Sequence, residues 1–196
     1  MTKDISTLVG SRICHDLISP IGAIGNGVEL LGMTSGDTSA EMALISESVE
    51  NANARIRFFR IAFGAAKPDQ MVSRAEILSV LEATSKGGRH IFHWDMSGDT
   101  PRTNVRIAFL LLLCMETALP TGGDVTVSAD GDTWVVTTEN PRIKVEQNLW
   151  DGMTGKAAAP DYSAAQVQFA MLPAIVKEAG RTLSVQFYEG RIVARF

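Results

Sequence analysis

The 196-residue chain carries 18 Lys+Arg against 22 Asp+Glu, a formal net charge of −4, and 45% hydrophobic residues. This acidic balance speaks against a generic nucleic-acid binder, which needs a basic face. The composition is that of a folded globular chain of one large or two small domains. No uncharged apolar run approaches the roughly 18 residues of a membrane span; the longest candidate, Ile107 to Met115, is far too short, so no membrane partner is expected. Met1-Thr-Lys-Asp leads straight into an amphipathic pattern, and no leader is expected. Cys14 and Cys114 have no framework spacing and are expected as reduced thiols in a cytoplasmic protein.

Residues 1 to about 67 read as helical hairpin and nothing else. Ile13, Leu17, Ile21, Ile24, Val28 and Leu31 recur at three- and four-residue steps, the stripe of a helix that packs on other helices. Breakers follow at Gly32, Gly36 and Asp37, with Thr34, Ser35, Thr38 and Ser39 around them. A second stripe, Ile45, Val49, Ala52, Ile56, Phe59 and Phe63, keeps heptad spacing. Its acids come early (Glu41, Glu47, Glu50) and its bases late (Arg55, Arg57, Arg60, Lys67), which complements the helix dipole; Gly64 and Pro68 end it. One hairpin cannot cover both its seams, whereas two pair into a four-helix bundle, so a homodimer is expected. Packing of the seams on the second half of the same chain is the alternative.

From about residue 68 to 196 the pattern is mixed. Ser73 to Thr84 reads as a helix with Ser73 as N-cap and Glu76 completing a capping box. Arg89 to Met96 reads as a strand, and Pro101 to Leu119 as a long buried helix with proline near its start. Asp124–Ala129 and Thr133–Thr138 flank Asp130-Gly131-Asp132, a hairpin signal. Asn140 to Pro160 reads as a long loop and Asp161 to Ala179 as a helix stopped by Gly180. Two final strands, Thr182–Phe187 and Arg191–Phe196, flank Glu189-Gly190. The fold class is therefore α+β: a helical hairpin followed by an antiparallel or mixed sheet with helices on one face.

Of the three histidines, His15 is the informative one. It lies about 165–170° from the centre of the first stripe and so faces solvent. Ser11, Ser19, Gly22 and Asn26 share its strip; being small or polar, they leave an open surface on which a protein partner can lie. The neighbouring Asp16 can orient the ring, fix its tautomer and stabilise positive charge on it. An imidazole is in general mostly neutral at pH 7, with a free lone pair for attack on phosphorus. His90 and His93 are three apart in a strand, so their rings diverge and a metal pair is not expected. Phe58, off the second seam, is expected to pack against the second half, and Arg55, Arg57 and Arg60 read as a solvated face. Cys14 diverges from His15 by about 100° and does not pair with it.

The segment Ser11-Arg-Ile-Cys-His15-Asp16-Leu-Ile-Ser-Pro20 resembles the phospho-acceptor box of histidine kinases: a histidine, an adjacent acid, and a proline five residues after the histidine. The stretch from Ser11 to Leu31 is similar to the ChpT-type histidine phosphotransferases of bacterial phosphorelays. The end of the chain resembles the end of a histidine-kinase ATP-binding domain. Gln168 to Val185 parallels its last helix, glycine turn and strand, and Leu110 to Gly123 parallels the helix that carries its nucleotide-box asparagines. Here no Asn lies between Asn104 and Asn140. The Asp-x-Gly-x-Gly box is replaced by Thr138-Glu-Asn-Pro-Arg-Ile, and the glycine-rich run by Ser163-Ala-Ala-Gln-Val-Gln-Phe. Without ligands for Mg²⁺ the charge of a triphosphate is uncompensated.

The resemblance implies a dimerisation and phosphotransfer hairpin over 1–67, forming a four-helix bundle in the dimer, and a degenerate ATPase-like α/β sandwich over 68–196. It implies a histidine phosphotransferase that accepts a phosphoryl group on His15 from one response-regulator receiver domain, including that of a hybrid histidine kinase, and passes it to another. Asp16 would assist, and Ser11, Arg12, Ser19, Gly22 and Asn26 would contact the partner. No cofactor is expected, Mg²⁺ being brought by the receiver. An ATP-dependent autokinase with atypical boxes and a non-catalytic dimeric interaction module are the alternatives.

Overall fold

The computed structural model describes residues 4–33, 37–67, 69–86 and 88–196. The expected breakers Thr34, Ser35 and Gly36 and the stop at Pro68 lie outside these residues. Helix α1 spans Ile5–Met33 and α2 spans Ser39–Ala62. Gly32 lies inside α1 rather than ending it. The Asp37 carboxylate accepts from the Ser39 amide (3.0 Å) and hydroxyl (3.1 Å), covering a first-turn donor of α2. The two helices approach closely at Gly27, where an added Cβ would sit 2.6 Å from Ile45 Cγ1.

The two apolar stripes are only half used within the chain. Ile13, Leu17, Ile24, Ile45 and Ala52 are partly covered, while Ile21 and Val28 of α1 and Val49 and Ile56 of α2 stay exposed. Ile18 and Met42 extend the uncovered surface. Met42, Val49 and Ile56 repeat every seven residues and form one bare heptad line along α2.

Beyond the hairpin come β1 (Met71–Val72), α3 (Arg74–Ser85), β2 (His90–Trp94), β3 (Thr100–Pro101), α4 (Arg102–Ala118), β4 (Gly123–Asp130) and β5 (Thr133–Glu139). Then follow α5 (Gln147–Thr154), a 3₁₀ turn (Ala164–Gln166), α6 (Val167–Glu178), β6 (Ser184–Tyr188) and β7 (Arg191–Arg195). The five-stranded sheet has the order β2-β4-β5-β7-β6. β2 and β4 run parallel, with α4 as the crossover, and the other pairs are antiparallel. β1 and β3 form a separate two-residue ladder.

The middle of α4 is apolar all round because it is enclosed all round: every residue from Ile107 to Met115 is buried. The inward residues of the sheet, Phe92, Trp94, Val125, Val127, Val136 and Ile192 among them, close on the same core as Phe58 and Phe59 from the end of α2.

Three further expectations need correction. Asn140–Pro160 is not a loop throughout, since it contains α5, which buries Leu149, Trp150 and Met153. The helix expected from Asp161 begins only at Val167, after the 3₁₀ turn. The capping box of α3 is half made: the Ser73 hydroxyl accepts from the Glu76 amide at 3.1 Å, but the Glu76 carboxylate turns to Arg60 at 3.3 Å.

Candidate functional site

His15 stands on the outer face of α1 with its side chain 81% exposed. Its Nδ1 lies 3.1 Å from Asp16 Oδ1. An ionised carboxylate can only accept, so this contact puts the ring proton on Nδ1 and leaves the lone pair on Nε2. Pro20, inside α1, has no amide proton to give to the Asp16 carbonyl one turn earlier, which frees one helical acceptor beside the site.

Asp16 is itself largely covered, at 14% exposure, and its second oxygen accepts from Arg12 Nε at 3.0 Å. Arg12 donates through Nη1 to the Ala165 carbonyl at 2.8 Å. That carbonyl also accepts from Nε2 of Gln168 at 3.1 Å. Gln168 is fully buried, and its Nε2 faces Thr117 Oγ1 (3.1 Å) and the Leu113 carbonyl (3.3 Å) on α4. The 3₁₀ turn is shaped by Gln166 Oε1, which accepts from both the amide and the hydroxyl of Ser163.

Ser11, Ser19, Gly22 and Asn26 lie on the exposed face of α1 with His15. A Cβ added at Gly22 meets nothing within 4 Å, so a partner's backbone can come close there. Arg12, expected among the contact residues, is instead turned along the helix and only 13% exposed.

The other flank of His15 holds a feature the sequence did not announce. A cleft of about 860 Å³ runs between α1 and the second half of the chain. Arg12, His15, Asp16 and Ser19 line one wall; Arg55, Arg89, His90, Glu116, Thr117 and Glu146 contribute to the rest. Glu116 Oε1 lies 3.7 Å from Arg55 Nη1 and 3.8 Å from His90 Nδ1, while His90 Nε2 donates to the Leu119 carbonyl at 2.9 Å. No periodic signal links these residues, because Arg55, His90 and Glu116 meet only through packing of α2 and β2 on α4. Arg57 and Arg60 are engaged as well, with Ser79 Oγ at 3.0 Å and Glu76 at 3.3 Å, and tie α2 to α3.

His90 and His93 do diverge: His93 Nε2 contacts Asp124 Oδ1 at 2.8 Å on the uncovered face of the sheet. Among the described residues no group of three or more His, Cys, Asp or Glu side chains is placed to hold a metal ion. No helix among them is long and apolar enough to cross a membrane. Cys14 is exposed, whereas burial pushes the Cys114 thiol well above its usual range.

An exposed histidine beside an acid thus stands on a helical hairpin that abuts a layered α/β unit. Residues 74–191 match the family described as histidine phosphotransferase C-terminal domain. The chain is 35% identical over 188 residues to the protein phosphotransferase ChpT of Brucella abortus (strain 2308), covering 93% of this chain and 90% of that protein. It also matches a solved bacterial phosphotransferase with a TM-score of 0.81 and 33% identity, over 100% of this chain and 96% of the other. The chain belongs to the histidine phosphotransferase family.

Proposed function

We propose that this histidine phosphotransferase relays a phosphoryl group between receiver domains through Nε2 of His15. The observation that carries the reading is the contact of His15 Nδ1 with Asp16 Oδ1 on a ring otherwise open to solvent. Nε2 attacks the phosphorus of a receiver's aspartyl phosphate; the P–N bond forms as the P–O bond to the carboxylate breaks, and the receiver aspartate leaves as a carboxylate. The imidazole, now positively charged with Nδ1 still protonated, is stabilised by the Asp16 carboxylate beside it. In the second transfer the carboxylate of another receiver attacks phosphorus, the P–N bond breaks, and neutral imidazole is restored. Both displacements depend on positioning and electrostatics more than on covalent participation by other side chains.

The strip of Ser11, Ser19, Gly22 and Asn26 is the docking face in this reading, and the cleft wall opposite His15 accommodates the edge of the docked domain. The bare line Met42, Val49 and Ile56, with Ile18, Ile21 and Val28, is the surface on which a second hairpin closes a four-helix bundle, so each dimer carries two sites. The hairpin over 1–67 and the sandwich over 68–196 divide the work between transfer and bracing, in the cytoplasm.

We further infer that the chain is not an autokinase. No Asn lies between Asn104 and Asn140 to serve metal and phosphate from α4, and on that helix the Leu113 carbonyl and Thr117 hydroxyl face the buried Gln168 amide instead. In the adjacent cleft Arg12, Arg55 and Arg89 are balanced by Asp16, Glu116 and Glu146, with Arg55 beside Glu116 at 3.7 Å and Arg12 held by Asp16, so no net positive charge gathers there to hold a triphosphate. A titration with Mg-ATP tests this: no saturable binding is expected in the millimolar range, and appreciable affinity would return the autokinase reading. Incubation with a phosphorylated receiver separates the relay from an idle interaction module, which takes up no label.

A further inference from the structure

We propose that Arg12 is a positioning residue for phosphotransfer, anchored by the second half of the chain and acting on His15 through Asp16. This rests on the reading of His15 as acceptor. The guanidinium is a rigid planar fork, and here its two prongs serve different masters: Nε holds Asp16 Oδ2 at 3.0 Å and Nη1 holds the Ala165 carbonyl at 2.8 Å. An ordinary helical pair four residues apart has no such outside anchor and leaves both side chains free to move. Ala165 is not free to move, because buried Gln168 binds the same carbonyl from behind. A continuous line of contacts therefore runs from α4 to the imidazole: Thr117, Gln168, Ala165, Arg12, Asp16, His15.

The consequence is chemical. With Oδ2 held by Arg12, only Oδ1 is presented to the ring, which keeps the proton on Nδ1 and the lone pair on Nε2. Release of the carboxylate lets it swing from the ring and lets the two tautomers mix, and the fraction of productive encounters falls. The second half of the chain, stripped of its nucleotide boxes, thus acts as a fixed post that sets the tautomer of the acceptor.

The test uses the full-length protein and a receiver domain charged with acetyl phosphate. Arg12→Gln is expected to lower the maximal transfer rate by about ten- to a hundredfold, by analogy with the loss of outer partners that orient metal-binding side chains. Receiver affinity should stay within about twofold, since the guanidinium is only 13% exposed and already engaged by Asp16 and the Ala165 carbonyl. In an Asp16→Asn background the same change should cost nothing further. Arg12→Lys, with a single ammonium that cannot span both acceptors, should recover little. In ¹⁵N spectra of the histidine ring, the wild type should show one protonated and one unprotonated nitrogen, and Arg12→Gln an averaged pair. The proposal is overturned by weakened receiver binding at an unchanged rate, by equal losses with and without Asp16, by full rescue with lysine, or by unaltered ring spectra. Failure of the acceptor reading is seen separately, as label retained in His15→Ala; the ring spectra still report on the Arg12 contacts in that case.

Discussion

The ring of Phe58 lies 4.7 Å, centroid to centroid, from that of Phe109, with 34° between the planes. One ring belongs to the hairpin and the other to the buried crossover helix, so the last turns of α2 are part of the core of the second half. Removing the Phe58 side chain empties the junction, and Phe58→Ala should cost about 3–5 kcal/mol of stability. All three tryptophans lie in the second half and the longest helices in the first. Tryptophan fluorescence and far-ultraviolet circular dichroism should therefore melt together in urea; two separated transitions would mean the junction does not couple the halves.

Asp16→Asn should slow transfer more than it weakens receiver binding. An amide can present its NH₂ to Nδ1 and so favour the tautomer with the proton on Nε2, the wrong atom for attack. A loss on the order of a hundredfold in rate is expected, because inverting a tautomer is costly even where geometry is kept. Equal losses in rate and affinity would assign the carboxylate to docking instead.

Gly22 separates folding from docking. Its surroundings are empty, so Gly22→Ala should raise helix stability by about 0.5–1 kcal/mol through the entropy of the unfolded chain. Gly22→Trp should leave the fold intact and weaken the receiver complex by roughly tenfold or more through steric obstruction. Unchanged affinity in a calorimetric titration would show that receivers approach from another side.

Val49 is 41% exposed in the isolated protomer and sits mid-line in the bare heptad seam. Val49→Glu should leave the protomer folded and shift sedimentation from dimer to monomer, since two buried carboxylates would face each other across the bundle. A wild-type protein that sediments as a monomer would refute the bundle.

The two thiols should part company under alkylation. Burial drives the Cys114 pKa upward, so its thiolate is scarce throughout the neutral range, while Cys14 is open. Peptide mapping after brief iodoacetamide treatment should find the modification on Cys14 alone; equal labelling of Cys114 would mean that α4 opens readily.

What could be read from the sequence follows from what periodicity encodes. The stripes of α1 and α2, the enclosed run from Ile107 to Met115 and the turn at Asp130-Gly131-Asp132 each carry a local pattern, and each formed its element. The phase of His15 on α1 followed from the same arithmetic. Helix α5 was invisible because only Leu149, Trp150 and Met153 face the core, too short a signal to outweigh the glycines around it. The β1–β3 pair is two residues long and leaves no alternation to detect. The cleft wall, and the bond between Arg12 and Ala165, join residues far apart in the chain, and only the assembled core brings them together.

The relay is tested most directly by locating the phosphate. After brief mixing with a phosphorylated receiver, the chain should carry an acid-labile, base-stable phosphoryl group mapped by mass spectrometry to His15, and His15→Ala should take up none while still folding and dimerising. Phosphate found on any other residue, or undiminished labelling of His15→Ala, would contradict the account.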